Sequence, residues 1–219
     1  MPVTFGYILT RIQRSLGDPL AATWSRTADI WPWTVEAIRE FVIPRPMEDE
    51  YTFIAASHHL TLPADFRQII WVEYPIDQEP PIYLERKNHL DPEFYGSDDY
   101  YDIDRDYDTG TGYTLWLSRL FAADDKLRIS YLADHEVPDD ENDTLTIPER
   151  YLNLLILYVV WRAWAERLGK QMIDPTAHTS TIQQMSATVQ NAEQAYKRAV
   201  ADALQELAES RLTPNLTMD

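Results

Sequence analysis

The chain has no cysteine, so disulfides, thiolate metal sites and a cysteine nucleophile are all excluded. A thiol-free chain fits folding in a cytosol. Glycine is scarce, with 6 in 219 residues. The sequence holds no G-x-x-x-x-G-K-[ST] loop, no G-x-G-x-x-G turn and no G-x-S-x-G elbow, so the common phosphate cradles and hydrolase nucleophiles find no place in it. Of the histidines at 58, 59, 89, 135 and 178, none lies in an H-E-x-x-H pattern, which leaves a helical zinc site without support. The most apolar run, Leu152 to Trp164, is broken by Asn153 and Arg162 and falls short of the roughly 20 residues a membrane span needs. No basic region followed by an apolar one opens the chain, so a signal peptide is not expected. A soluble protein without membrane contact is.

Basic residues are also in short supply: 19 Lys and Arg stand against 36 Asp and Glu, a net charge of −17. That balance opposes ordinary nucleic-acid binding, which relies on cations neutralising phosphates. It does not oppose proximity to DNA, because an acidic wall repels phosphates and lets a duplex slide past. The charge is concentrated. Residues 1–45 carry 5 basic and 4 acidic groups, residues 46–146 carry 7 and 24, and residues 147–219 carry 7 and 8. The near-neutral flanks read as helices and the acidic middle as short strands. The expected fold is therefore α+β: a helical bundle (two N-terminal helices, a buried helix and a long C-terminal helix) with an inserted antiparallel β module. The expected parts are a helical body of residues 1–45 and 147–212, an acidic β-rich insertion at 46–146, and a flexible tail at 213–219.

Local patterns give the elements. Thr4 is placed to cap a helix with Phe5, Ile8, Leu9, Ile12 and Leu16 on one stripe, ended by Gly17 and Asp18. Asp29 is the expected cap of a second helix bearing Ile30, Trp33, Ala37, Ile38 and Phe41, with Pro44 and Pro46 stopping it. Extended runs follow at Tyr51 to Ala55, Arg67 to Tyr74 and Ile82 to Leu84, then Tyr113 to Phe121 and Lys126 to Leu132, expected as a hairpin. His58-His59 reads as a loop pair. Leu62-Pro63-Ala64-Asp65-Phe66 reads as a turn that seats Leu62 and Phe66 in a core. Thr146 and Glu149 form a capping-box pattern before a helix, to about Ile173, that is apolar nearly all round and so central to a bundle. From about Thr181 to Leu212, Ile182, Met185, Val189, Ala192, Tyr196, Ala199, Ala203 and Leu207 recur near a 3.5-residue spacing, a narrow stripe suited to one neighbouring helix or subunit.

The tempting chemistry is Asp102-Ile103-Asp104-Arg105-Asp106-Tyr107-Asp108. It fails the calcium-loop pattern, with Tyr107 where glycine is needed and Tyr113 where a bidentate Glu is needed. In an extended strand the four carboxylates share one face, which reads as a solvated acidic face. A divalent-cation site on Asp102, Asp104, Asp106 and Asp108 is the alternative. The run from Asp134 to Asp143, broken by Pro138, reads as a connector. No catalytic residues, metal or cofactor are assigned, and an enzyme is not expected.

The order of segments resembles the head-to-tail adaptor (connector) proteins of tailed bacteriophages. The residues that carry the likeness are an opening helix ending in Ser15-Leu16-Gly17-Asp18, Trp24, the Trp33 to Phe41 helix, and Leu62-Pro63-Ala64-Asp65-Phe66 leading into a strand. Ile129-Ser130-Tyr131 closes the Leu115 to Tyr131 hairpin, and Leu145-Thr146-Ile147-Pro148-Glu149-Arg150 opens an apolar helix. The resemblance covers most of residues 4–170. It implies a virion neck protein, made in the host cytoplasm, that forms a ring of about a dozen copies beneath the portal. Such a ring extends the DNA channel and docks the next neck or tail protein. Its partners would be the portal protein, copies of itself, the tail-side protein, and genome DNA passing without sequence-specific binding. The family's C-terminal segment reaches the portal, which implies docking through Ala208, Arg211, Leu212, Pro214 and Leu216. The expected channel-facing or exposed acidic edge is Asp98, Asp99, Asp102, Asp104, Asp106 and Asp108. Another neck or tail-completion protein, or a divalent-metal module or enzyme, are the alternatives.

Overall fold

The computed structural model describes residues 3–105, 112–176 and 178–212. They divide into two compact units: a helical one formed by Met1–Ile43 with His135–Asp219, and a β one formed by Pro44–Asp134.

In the helical unit, α1 (Phe5–Ser15) begins where Thr4 Oγ1 accepts the Tyr7 N–H. Its first turn is further satisfied from outside the helix. The Phe5 and Gly6 N–H groups donate to the carbonyls of Asp143 and Glu141 at 2.9 and 2.8 Å. Glycine eases this approach, since a Cβ at Gly6 would lie a tight 3.0 Å from Glu141 Oε2 and 3.1 Å from its carbonyl oxygen. Gly17, at φ +69, turns the chain out of the helix, a conformation that costs glycine little.

The second helix starts earlier than the sequence predicts. A π-helical turn over Arg26–Ile30 leads into α2 (Trp31–Arg39). Ser25 is the cap. Its hydroxyl accepts the Ala28 N–H at 3.2 Å, and Asp29 reaches back to accept the Ser25 N–H at 2.7 Å. This is a capping box stretched from three residues to four by the wider turn. Helix α3 (Leu152–Ile173) supplies the centre of the core, with Leu152, Leu154, Leu155, Ile156, Val159 and Ala163 buried. Helix α4 (Thr179–Leu212) packs on it through Tyr196, Ala199, Val200, Ala203 and Leu207.

The predicted capping box at Thr146 does not form. The Thr146 hydroxyl is committed to the Glu136 N–H and to His135 Nδ1, and α3 is entered through a short 3₁₀ turn at Glu149–Tyr151. His135, expected in a connector, is buried. Its Nε2 lies 2.9 Å from the Ile43 carbonyl oxygen, so that nitrogen carries the proton and Nδ1 accepts from Thr146. The two ends of the helical unit that flank the insertion are thus tied by one imidazole.

The β unit has two sheets. One, ordered β1-β7-β3, joins β1 (Arg45–Thr52), β7 (Lys126–Ala133) and β3 (Phe66–Glu73), all antiparallel. The other, ordered β2-β6-β5-β4, joins β2 (Ser57–Thr61), β6 (Tyr113–Phe121), β5 (Tyr100–Arg105) and β4 (Glu85–Arg86), with β4 parallel to β5. The expected β6–β7 hairpin is corrected here. The turn between them exists, closed by Asp125 accepting the Ala122 N–H, but it carries the chain from one sheet to the other. A core of Phe53, Leu62, Phe66, Val72, Leu115, Leu117, Phe121, Leu127, Ile129 and Tyr131 results, with the Leu62–Phe66 turn seated as predicted. Strand β1 begins well before Tyr51 and includes Pro46, tolerated because β1 pairs with β7 alone and that edge position does not need every donor. His58 and His59 lie in β2, not in a loop.

His135→Ala strands the buried Ile43 carbonyl and the Thr146 hydroxyl. The expected cost is about 1–3 kcal/mol, read as a lower urea midpoint, with His135→Gln recovering part of it.

Candidate functional site

The acidic stretch does not form one solvated face. Asp98 and Asp99 are exposed; the Asp99 carboxylate accepts the Ser97 hydroxyl, and its carbonyl accepts the Glu85 N–H. Asp102 is buried. Its Oδ2 accepts both the backbone N–H of His89 at 2.9 Å and the ring Nδ1 of His89 at 2.8 Å, and its Oδ1 lies 3.7 Å from Arg86 Nε. Asp104 is half-buried and accepts the Arg105 N–H. Asp106 and Asp108 lie outside the described residues. Strand alternation fails to predict this because His89 arrives from the β4–β5 connection to cover Asp102.

The cover is a layered one. Register places His59 of β2 and Asp102 of β5 opposite Trp116 of β6. The His89 ring stacks on the Trp116 indole at 5.1 Å with planes 9° apart, and His59 lies on it at 5.4 Å. Burial alone would raise the Asp102 carboxyl, but the His89 backbone and ring donors and the Ile103 N–H outweigh it and hold the pKa below the ordinary carboxylate value. Arg86, Lys87, Asn88, Leu90 and Ile103 border a shallow groove of about 650 Å³ here. Lys87 is already held by Glu93 at 3.0 Å and by the Tyr100 ring. His89 thus occupies Oδ2, and the Arg86 guanidinium stands 3.7 Å from Oδ1. Among the described residues, no group of three or more acidic or histidine side chains gathers at metal-binding distance.

Elsewhere in the β unit, Arg128 is a hub the sequence does not announce. Its guanidinium reaches Asp77 at 2.7 Å and the buried Glu73 at 3.1 Å, with Glu48 and Glu50 within 4 Å. The Tyr131 hydroxyl donates to Asp49 at 2.7 Å, and burial together with that carboxylate pushes its pKa well above the ordinary tyrosine value.

The helical unit carries a second charged feature. Arg26 spends its donors on Glu141 (2.6 and 2.8 Å), the Gly6 carbonyl, Thr10 and Gln13. This ties α1, the π-helical turn and the 139–143 segment together, and Arg26 in turn holds the Glu141 pKa below its usual value. Asp18, read from sequence as a helix end, is buried and accepts the backbone N–H groups of Ala22, Thr23 and Trp24 at 2.7–2.8 Å. Outward from this clamp, Tyr7, Arg11 and Arg14 stand exposed on one face of α1, with Arg11 over the Tyr7 ring. At the other end of the unit, Ala208 is exposed on α4. Arg211 and Leu212 complete the α4 backbone without described side chains, and Pro214 and Leu216 lie outside the described residues.

These are matched groups that hold loops and present charge. No helix among the described residues is long and apolar enough to cross a membrane. A sequence profile of the SU10 adaptor protein family matches residues 3–218. No curated protein matches the chain.

The Asp102 carboxylate stabilises the β unit fully above the ordinary carboxylate pKa and loses that contribution as pH falls through its lower folded value. Asp102→Asn is therefore expected to lower the denaturation midpoint at pH 7, with the gap from wild type narrowing as pH drops below 4. Chemical denaturation across that range measures it.

Proposed function

The chain belongs to the SU10 adaptor protein family, and from that premise we propose that it works as a head-to-tail adaptor in the neck of a phage virion. The role is structural. In this reading about twelve copies close into a ring beneath the portal, extend the DNA channel and dock the next neck or tail component. The observation that carries it is the extent of the match, 3–218 of 219 residues, which takes in the opening helix, the β insertion and both long C-terminal helices.

The charge pattern supports it. Genome DNA must pass without sticking, and exposed carboxylates repel phosphates. Asp98 and Asp99, both exposed, and the half-buried Asp104 are assigned to such a wall or an exposed ring edge, as are Asp106 and Asp108, which lie outside the described residues. Asp102 is not, since its carboxylate faces His89. Portal docking is assigned to Ala208, Arg211, Leu212, Pro214 and Leu216. The exposure of Ala208 suits this, and Leu207, which touches the helical core, marks where the body stops.

Purified chain is expected to co-sediment with portal rings of the same phage and not with isolated tail tubes. Deleting residues 208–219 is expected to weaken portal binding at least ten-fold while the thermal midpoint stays unchanged. Binding to tail tubes instead would favour a tail-completion protein, and binding to neither would overturn the reading.

A further inference from the structure

We infer that the uncharged half of α4, Thr179–Ala192, is a contact surface for a second copy of this chain. The inference rests on the adaptor reading and names the surface through which neighbouring copies meet.

The sequence from Pro175 to Ala192 contains no Asp, Glu, Lys or Arg, the longest such run in a chain that is 25% charged. It is nonetheless a surface helix. Gln183, Gln184, Ala187, Gln190 and Asn191 are exposed, and no residue from 179 to 192 is buried. Ile182, Met185 and Val189 are half-covered and stand outside the core cluster that the later half of α4 joins at Tyr196. The end of α3 leaves Met172 67% and Ile173 84% exposed.

Helices left in water are held by charge and by i,i+4 ion pairs. The rest of this hairpin obeys that rule, with Glu166–Lys170 at 2.8 Å and Glu193–Lys197 at 2.6 Å. The first half of α4 has no such pair. It is rich instead in Thr, Ser and β-branched residues, which are indifferent helix formers. Both defects vanish if the face is covered, because depletion of charge is the compositional mark of an interface centre.

Charge also selects the occupant. DNA or an acidic protein would be met by Lys or Arg, and a basic protein by Asp or Glu; this surface carries neither. A second copy brings 17 excess negative charges of its own, and a neutral face is where it approaches without opposing carboxylates. Thr179–Ala192 rises about 21 Å and presents a face some 10 Å wide. That is roughly 200 Å², well under the ~800 Å² per partner of a stable pair. The contact is weak between two copies and gains from repetition around a closed ring.

The absence of cysteine gives a clean test. The full chain carrying Ala187→Cys, labelled at that thiol with a photo-cross-linker, is mixed with portal rings and irradiated, with Ile54→Cys, 96% exposed in the β unit, labelled likewise as the control. Copy-to-copy cross-links from position 187 are expected at least five-fold above the control. Gln183→Glu with Gln190→Glu, and Gln183→Lys with Gln190→Lys, each added to Ala187→Cys, are both expected to cut that yield several-fold at unchanged thermal midpoints. Portal binding with control-level cross-linking at 187 overturns this inference and leaves the adaptor reading standing. A Lys pair that raises the yield also overturns it, by pointing to an acidic occupant. If the portal is not bound, the adaptor reading fails, and cross-linking of the concentrated chain alone decides the contact.

Discussion

An inserted unit must leave and re-enter its host at nearly one point, and this fold meets that constraint twice over. On the β side, the first and last strands are neighbours, with Arg45 paired to Ala133 at the ends of β1 and β7. On the helical side, His135 bonds the Ile43 carbonyl, and Phe41 meets the same ring edge-on at 5.3 Å. Each unit therefore closes without the other. The helical core of α1, α2, α3 and α4 draws on residues from both ends of the chain, which brings together segments more than a hundred positions apart. Such long loop closure is entropically expensive, and a paired β1–β7 ladder shortens the effective loop to a few residues.

The second organising feature is how the acidic excess is handled. The buried carboxylates are met locally, Asp18 by three backbone donors, Asp102 by His89 and Glu73 by Arg128, and the part-exposed Glu141 is held by Arg26. Arg128 and Arg26 each serve several partners, so a few cations suffice for the interior. What remains uncompensated sits at the surface, on Asp98, Asp99 and their like. A buried carboxylate without partners would cost several kcal/mol, whereas an exposed one costs little in isolation. Net charge thus becomes a property of the surface, available to act on whatever passes.

How much of this was legible in the sequence depended on whether the signal was periodic or relational. Helices α1, α3 and α4 and strands β6 and β7 follow from spacing, because a 3.6 or 2.0 period is written in the residues themselves. Strand β1 was hidden by Pro46 and the acids Glu48, Asp49 and Glu50, residues that disfavour strands yet are tolerated on an edge. The Ser25–Asp29 cap was missed because a π-helical turn moves the partner one position further than the usual rule. The β6–β7 turn was visible, but the sheet each strand joins depends on partners far away in sequence. The family resemblance came from segment order and holds over nearly the whole chain. Asp98 and Asp99 were legible as exposed. Asp102 was not, because a carboxylate and its distant histidine cover look like solvated charge until the chain is folded.

Charge arithmetic links these observations to assembly. Two like charges 10 Å apart in water repel by about 0.4 kcal/mol, and salt screens them beyond a Debye length of some 8–10 Å. One such pair is negligible. Ten facing pairs across each joint of a ring would oppose closure by several kcal/mol, comparable with what a small interface supplies. Under the adaptor reading, a subunit this acidic would keep most of its carboxylates beyond screening distance from its neighbour, and concentrate its lateral contacts where charge is sparse. The composition obeys that division: the acids gather between residues 46 and 146, and the longest uncharged run lies in the first half of α4. On that reading, an acidic surface that repels phosphate and a neutral helix that lets a neighbouring copy approach are two outcomes of one distribution. Under the adaptor reading, a channel that does not bind DNA and a ring that closes are thereby compatible within a single chain.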